Sequence, residues 1–261
     1  MKTNTHEKCV LCNSQSFNIF EKYSQALQYT VKYLQCQSCG LTTVPESGKF
    51  ALFKIYDEEY FLNTDYGWKG RAELVLNYIW YINLIIPVKK MALCDFGAGN
   101  GYLTKLLIKS GFNVIPYEPY LKESTFLDLS YYRDTPFHAD VLLMVEVFEH
   151  FTDAFEEIKK ILNDFKYPEL IIFTTELTDN ATETLDNWIY LNPDAGHYTL
   201  WSEKSLLLLG NILGYGLISI GTYLHIFCKS SSHSYYWKLK LLSIIPNFIV
   251  SLKRMTRGRS N

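Results

Sequence analysis

The sequence has no apolar run approaching the roughly 18 residues that cross a bilayer, and its opening, MKTNTHEKC, lacks the hydrophobic core of a secretion signal. A cytoplasmic protein, working at most against the inner face of a membrane, is the expectation. There is no internal repeat and no low-complexity tract, which excludes solenoid folds, and 48% hydrophobic residues in 261 exclude a disordered chain. Strong net charge is missing too, with 25 Lys and Arg against 27 Asp and Glu. That balance hides an asymmetry. Acids are absent from residues 233–261, which hold Lys238, Lys240, Lys253, Arg254, Arg257 and Arg259, and the rest of the chain is left with 19 basic and 27 acidic residues. An acidic body is a poor partner for a phosphate backbone, so nucleic acid is not expected as a ligand. The Asn-Pro-Pro-Tyr type of motif that serves exocyclic amines is also absent.

Cysteine is scarce, but four of the six fall into CVLCN (9–13) and CQSCG (36–40). Paired CxxC spacing in a reduced compartment predicts one tetrahedral Zn2+ held by Cys9, Cys12, Cys36 and Cys39. Four thiolates leave no open position, so the metal is expected to be structural, supplying folding energy that a module of this size cannot draw from a core. His6 is an alternative ligand. Cys94 and Cys228 sit inside apolar runs, MALCDF and HIFCKS, and are expected as small buried hydrophobes.

The spacing of apolar runs divides the chain into residues 1–45, the cysteine module with hairpin strands; 46–90, an aromatic lid (Phe53, Tyr56, Tyr60, Phe61, Tyr66, Trp68) and a lead-in helix stopped by Pro87; 91–230, an α/β domain; and 231–261, a basic amphipathic tail. From residue 91, short apolar runs alternate with helical stretches, the pattern of a parallel α/β sheet. MALCDF, NVIPYE, ADVLLMVEV and LIIFTTEL read as strands. YLTKLLIKSG, FEEIKKILNDF and SEKSLLLLGNILG read as helices, the last with Ser202 as N-cap, and GLISIGTY with LHIFCKS reads as a closing antiparallel pair.

DFGAGNG (Asp95 to Gly101) follows a predicted strand and opens a predicted helix. There a glycine turn lets a ligand approach the backbone and the free N–H groups of the helix start. An acid, Glu118, closes the next strand, where it could accept both hydroxyls of a ribose. A dinucleotide fingerprint would place a further glycine where Tyr102 stands. With YEP (117–119) and VEVFEHF (145–151), the pattern resembles the class I S-adenosylmethionine-dependent methyltransferases. The resemblance implies a Rossmann-like sheet, mostly parallel with an antiparallel final strand, carrying a small zinc-ribbon module. It further implies that Gly97, Gly99 and Gly101 cradle the methionine part of S-adenosyl-L-methionine, that Asp95 orients the loop or faces the donor's amino end, and that Glu118 holds the ribose. Glu146, His150 and Tyr60 would also face the donor. Asp128 and Asp140 are candidates for an acid on the adenine side.

The flanks narrow the resemblance. CxxC…CxxCG, YxxxYF (Tyr56, Tyr60, Phe61) and WxY…GH (Trp188, Tyr190, Gly196, His197) are similar to a bacterial family of sugar and surface-polysaccharide methyltransferases that includes nucleotide-sugar C-methyltransferases. That similarity implies His197 as a general base, with Tyr190 and Tyr198 beside a sugar or glycan acceptor. Chemistry asks for such a group: displacement at a sulfonium has a good leaving group, so the enzyme must align the reactants and remove one acceptor proton. A guanine-N1 RNA methyltransferase with its own cysteine module, and a non-catalytic binding module, are the competing readings. The tail, with Tyr235, Tyr236 and Trp237 beside basic residues, is a candidate for peripheral membrane contact.

Overall fold

Alternation decides where each central strand sends its side chains. In β5 (Leu93–Phe96), Leu93 enters one hydrophobic layer and Cys94 the other. In β8 (Leu170–Thr174), Leu170 and Ile172 join Leu93 while Ile171 and Phe173 join Cys94. Strands apolar on both faces must be covered on both. The computed structural model describes residues 3–4, 8–45, 67–119, 126, 138–181 and 184–243. Helices α1 (Trp68–Ile85), α2 (Tyr102–Lys109) and α5 (His233–Ser243) cover one face, and α3 (Ala154–Asp164) and α4 (Glu203–Leu213) the other.

The six-stranded sheet runs β10 (Tyr215–Ile220), β11 (Leu224–Lys229), β8, β7 (Val141–Val145), β5, β6 (Val114–Tyr117). Strands β6, β5, β7 and β8 are parallel, and β11 and β10 form the antiparallel close expected from the sequence. The chain leaves β5 for β6 on one side and returns to β7 on the other. A crevice therefore opens at the carboxyl ends of these three strands, the place where open α/β sheets take ligands.

Helix α1 lays Ala72, Val75, Ile79 and Ile82 along one buried stripe and stops at Ile85. Ile86 is extended, as the residue before Pro87 must be. Ser202 caps α4 in a capping box with Ser205, accepting from the Ser205 N–H at 3.0 Å. Cys94 and Cys228 are fully buried, as their apolar surroundings require. In the 231–261 segment, α5 packs Leu239 into the core, and Tyr236 lies so close to Gly216 that a Cβ there would meet its ring at 2.6 Å. Residues 244–261 lie outside the described residues. No helix among the described residues is long and apolar enough to cross a membrane.

The hairpin expected near the N-terminus is β2 (Ser16–Ser24) with β3 (Tyr29–Cys36), flanked by β1 (Thr3–Asn4) and β4 (Thr42–Thr43). Its sheet takes a fifth strand from the far end of the chain: β9 (Thr199–Leu200) pairs with β4 in the register Thr42 to Leu200 and Thr43 to Thr199. Side chains reinforce the junction. The Ser202 hydroxyl donates to the Cys39 carbonyl at 2.6 Å, the Tyr33 hydroxyl to the His197 carbonyl at 2.9 Å, and the Val44 N–H to the Tyr198 carbonyl at 3.0 Å. Gly40, at φ 78°, faces Ser202 so closely that a Cβ would lie 2.6 Å from its Oγ.

Ser202 thus both starts α4 and fastens the cysteine-bearing sheet. Ser202→Ala removes the cap and leaves a buried carbonyl without its donor, so urea unfolding should show a loss of about 2 kcal/mol. A loss below about 0.5 kcal/mol, the range of neutral surface changes, would contradict this joining role.

Candidate active site

The glycine turn follows β5 because only glycine fits it. Gly97, Gly99 and Gly101 have φ of 71°, 53° and 80°, and a Cβ on Gly97 would lie 2.8 Å from the Val147 side chain. The turn is pinned to β6: the Gly97 and Ala98 N–H groups donate to the Tyr117 carbonyl at 2.8 and 3.2 Å, and the Gly99 N–H donates to a Glu118 carboxylate oxygen at 3.0 Å. Asp95 is buried beneath the turn and accepts from the Thr104 hydroxyl at 2.5 Å. Burial, and the nearby Glu118 charge, push its carboxyl up to about 6.

These groups line one part of a cleft of about 810 Å³. Phe96, Tyr117, Ile161 and Phe165 give it an apolar wall, and Trp68 and Tyr102 stand edge to face at 5.1 Å between ring centres on another side. The opposite wall is polar and comes from the turn after β7 and from the loop ending at β9. Glu146 holds φ 52°, a left-handed conformation unusual for a side chain that is not glycine or asparagine. Its carboxylate accepts from the Tyr223 hydroxyl at 2.8 Å and the Thr174 hydroxyl at 3.0 Å, with Arg71 Nε 3.8 Å away. Burial, followed by repulsion from Glu149, raises it to about 7.

Glu149 is fully buried in the one-turn helix Phe148–His150. Its Oε1 accepts from the Tyr190 hydroxyl at 2.6 Å, while Oε2 has no hydrogen-bond partner among the described residues. Burial raises Glu149 to about 7 as well. His150 Nδ1 bonds the Gly196 carbonyl at 3.0 Å and His197 Nδ1 bonds the Tyr190 carbonyl at 2.6 Å. A carbonyl only accepts, so both rings carry their proton on Nδ1 and present Nε2 as a lone pair. The rings stand 5.2 Å apart. Burial, then the neighbouring His150, lowers His197 to about 3, and burial lowers His150 too.

The loop is built to deliver His197. Asn192 caps the turn Pro193–Ala195 by accepting from the Asp194 and Ala195 N–H groups at 3.1 and 3.3 Å. Gly196 then takes φ 71°, which accounts for glycine immediately before the histidine. Asp194 in turn accepts from the N–H groups of Gln25 and Ala26, both at 3.1 Å, so the β2–β3 hairpin braces the loop.

Most residues expected at a site from sequence therefore converge: Asp95, Gly97, Gly99, Glu118, Glu146, His150, Tyr190 and His197 line one cleft, and Gly101 caps α2 directly behind the turn. Tyr198 is a correction. Successive residues of an extended segment face opposite ways, so His197 meets the cleft while Tyr198 packs with Tyr33, Val44, Leu185, Leu191 and Leu200. Asp140 is another: it lies at the amino end of β7, accepts from the Ala92 N–H at 2.8 Å, and is at the opposite end of the strands from the glycine turn. Tyr60, with Tyr56, Tyr66 and Asp128, lies outside the described residues. Arg71, Thr174 and Tyr223, which set the Glu146 carboxylate, carry no motif; only their structural neighbours reveal them.

The four cysteines also converge. Their sulfurs lie within 4.8 Å of one another, with Cys9 to Cys39 at 3.5 Å and Cys12 to Cys36 at 3.4 Å. Thiolates about 2.3 Å from one tetrahedral Zn2+ stand about 3.8 Å apart, so the set fits that ion; a disulfide would need about 2.0 Å.

The buried Asp95 makes the pH response of the ligand-free protein specific. In the native state it stays protonated up to about 6, whereas in the unfolded chain it ionises near its ordinary 3.8. Its stability contribution is complete below the unfolded value and is lost as pH rises through 6. Asp95→Asn keeps an acceptor for Thr104 without this loss. Between about pH 4 and pH 7.5, urea unfolding should shift in favour of the variant, relative to wild type, by on the order of 2 kcal/mol. A difference independent of pH would show the carboxyl to be ionised throughout.

Residues 77–220 match the family model for a methyltransferase domain. Similar solved structures include a magnesium protoporphyrin IX methyltransferase from Synechocystis PCC 6803 with bound S-adenosylhomocysteine (16% identity, 63% of this chain and 87% of that one, TM-score 0.45). A SAM-dependent methyltransferase from Archaeoglobus fulgidus is similar at 17% identity, over 60% of this chain and 74% of that one, with a TM-score of 0.45. The methyltransferase domain of a bacterial Hen1 is similar at 18% identity, over 61% and 98%, with a TM-score of 0.42. No sequence match is found among curated proteins. The family match spans more than half of the chain and takes in the glycine turn, Glu118 and the polar wall from Glu146 to His197: the protein belongs to the methyltransferase domain family and is an S-adenosylmethionine-dependent methyltransferase.

Proposed function

We propose that the protein methylates a sugar, presented as a nucleotide sugar or within a glycan. The observation that carries this reading is the polar wall facing the glycine turn, where Tyr190, Glu149, His150, His197 and Arg71 crowd one end of the cleft. A buried polyhydroxylated ring needs such a density of donors and acceptors, because each unpaired polar group costs free energy. Bound S-adenosylmethionine supplies a methyl carbon on a sulfonium that departs as a neutral thioether. The turn from Gly97 to Gly101 and the start of α2 would hold its methionine end, with Asp95 ionising as the donor's ammonium approaches. Glu118 would take the ribose hydroxyls. His197, neutral and fixed by the Tyr190 carbonyl, would turn Nε2 to an acceptor hydroxyl and receive its proton as transfer proceeds.

An RNA substrate fits less well. The cleft is lined by Asp95, Glu118, Glu146, Glu149, Glu157 and Asp164 against Arg71 and Lys160, a field that repels phosphates and favours a cationic donor. With a nucleotide sugar, the ring would enter this acidic cleft and the diphosphate would remain at its mouth. We assign the four thiolates to a structural Zn2+ that orders the hairpin bracing the His197 loop.

Incubation with methyl-labelled S-adenosylmethionine and a panel of nucleotide sugars, oligosaccharides and RNA should place label in a sugar fraction. Label in RNA alone would overturn the reading. For the metal, elemental analysis should find one zinc per chain. Cys36→Ser should lose it and melt at least about 10 °C lower, the size expected when a structural metal is lost. Wild-type protein that takes up no zinc, or zinc-loaded wild type that melts no higher than the variant, would contradict the assignment.

A further inference from the structure

Glu149, His150 and His197 each offer one ligand atom, and these atoms lie within 4.8 Å of one another. The arrangement has three features of a cation site. Both imidazoles have Nδ1 bonded to a backbone carbonyl, Gly196 for His150 and Tyr190 for His197, which puts the lone pair of each neutral ring on Nε2. Metal-binding histidines are oriented in this way, by a second partner on the other nitrogen. Between them sits a carboxylate held by the Tyr190 hydroxyl at 2.6 Å on one oxygen, while the other, Oε2, is buried with no hydrogen-bond partner among the described residues. Buried carboxylate oxygens are seldom left so, and an ion resolves the deficit. All three residues line the cleft, so a cation held from this wall keeps open positions toward the acceptor.

We propose that Glu149, His150 and His197 bind a divalent first-row transition cation that takes the acceptor's hydroxyl oxygen into its open coordination positions. The inference rests on the methyl-transfer reading and deepens it. Ligands about 2.1 Å from a common ion stand about 3 Å apart, so contraction of the present cluster by at most about two ångströms completes the site. The mixed donor set, two imidazole nitrogens and one carboxylate oxygen, suits Mn2+, Fe2+, Co2+ or Zn2+ better than the all-oxygen sites of Mg2+ or Ca2+. The cation withdraws charge from the acceptor oxygen, and its proton leaves to water or to the adjacent Glu146. The freed oxygen lone pair forms the bond to the methyl carbon while the carbon–sulfur bond breaks and its electron pair stays on sulfur. Hydroxyl acceptor and sulfonium donor thus give methyl ether, thioether and one proton. A hydroxyl flanked by a second oxygen, as in the vicinal diols of sugars, can chelate through both open positions. With the ion present, His197 fixes the cation, and the proton-accepting role given to it above passes to the ion's environment.

Mn2+ is the probe, added to zinc-replete full-length protein so that the thiolate set is already filled. Electron paramagnetic resonance should show the free Mn2+ signal lost to one site per chain, with pulsed spectra reporting coupling to two imidazole nitrogens. His197→Gln should remove one of these couplings and, like Glu149→Gln, weaken Mn2+ binding at least about tenfold. S-adenosylhomocysteine titrated into the same samples serves as the folding control and should still bind both variants. Protein that binds S-adenosylhomocysteine but leaves the Mn2+ signal free, binds it without nitrogen coupling, or binds it equally in the variants would overturn the cation site. Protein that binds Mn2+ through two nitrogens but not S-adenosylhomocysteine would uphold the cation site and overturn the methyl-transfer reading.

Discussion

Two residues of strand pairing, Thr42 and Thr43 against Leu200 and Thr199, tie two sheets into one machine. The segment from Tyr190 to Ser202 is at once the wall of the cleft, the edge of the N-terminal sheet and the approach to α4. Because its backbone is held by Val44 and its turn by the hairpin N–H groups that reach Asp194, His197 has little freedom in where it stands. The cysteine cluster lies at the other end of the same hairpin. Its metal, on our reading, stabilises the acceptor wall at a distance by keeping the hairpin ordered.

The second organising constraint is electrostatic. Asp95, Glu146 and Glu149 are buried carboxyls raised toward neutrality by desolvation, and among the described residues Arg71 stands beside Glu146 as a cation. Such a cleft is short of positive charge. A sulfonium donor with a free ammonium, and a divalent cation on the opposite wall, each supply it. The same shortage disfavours a polyanionic substrate, which is why the basic residues after 233, four of them outside the described residues, do little to support an RNA reading.

Much of this was legible in the sequence because the relevant signals are local. Apolar runs of strand length gave every strand of the central sheet, and Gly97, Gly99 and Gly101 could be identified with a ligand turn because they follow one strand and open one helix. Ser202 announced itself as a cap. What escaped depends on contacts between distant segments. A two-residue strand such as β9 has no periodicity to detect. Tyr198 and His197 are neighbours in sequence, and only the direction of an extended backbone separates core from cleft. Arg71 and Tyr223 meet Glu146 only across distant segments of the chain. Glu149 emerges as the buried centre of the polar wall, since burial of both its oxygens is a property of the assembled fold.

The central claim is that the crevice at the ends of β5, β6 and β7 is the donor site. Isothermal titration of the purified, zinc-containing protein with S-adenosylhomocysteine tests it most directly. The account predicts one molecule bound per chain, and at least about tenfold weaker binding in Glu118→Ala, the loss expected when charged hydrogen bonds to a ribose are removed. Well-folded wild-type protein that takes up no S-adenosylhomocysteine, or a variant that binds it as tightly, would contradict the account.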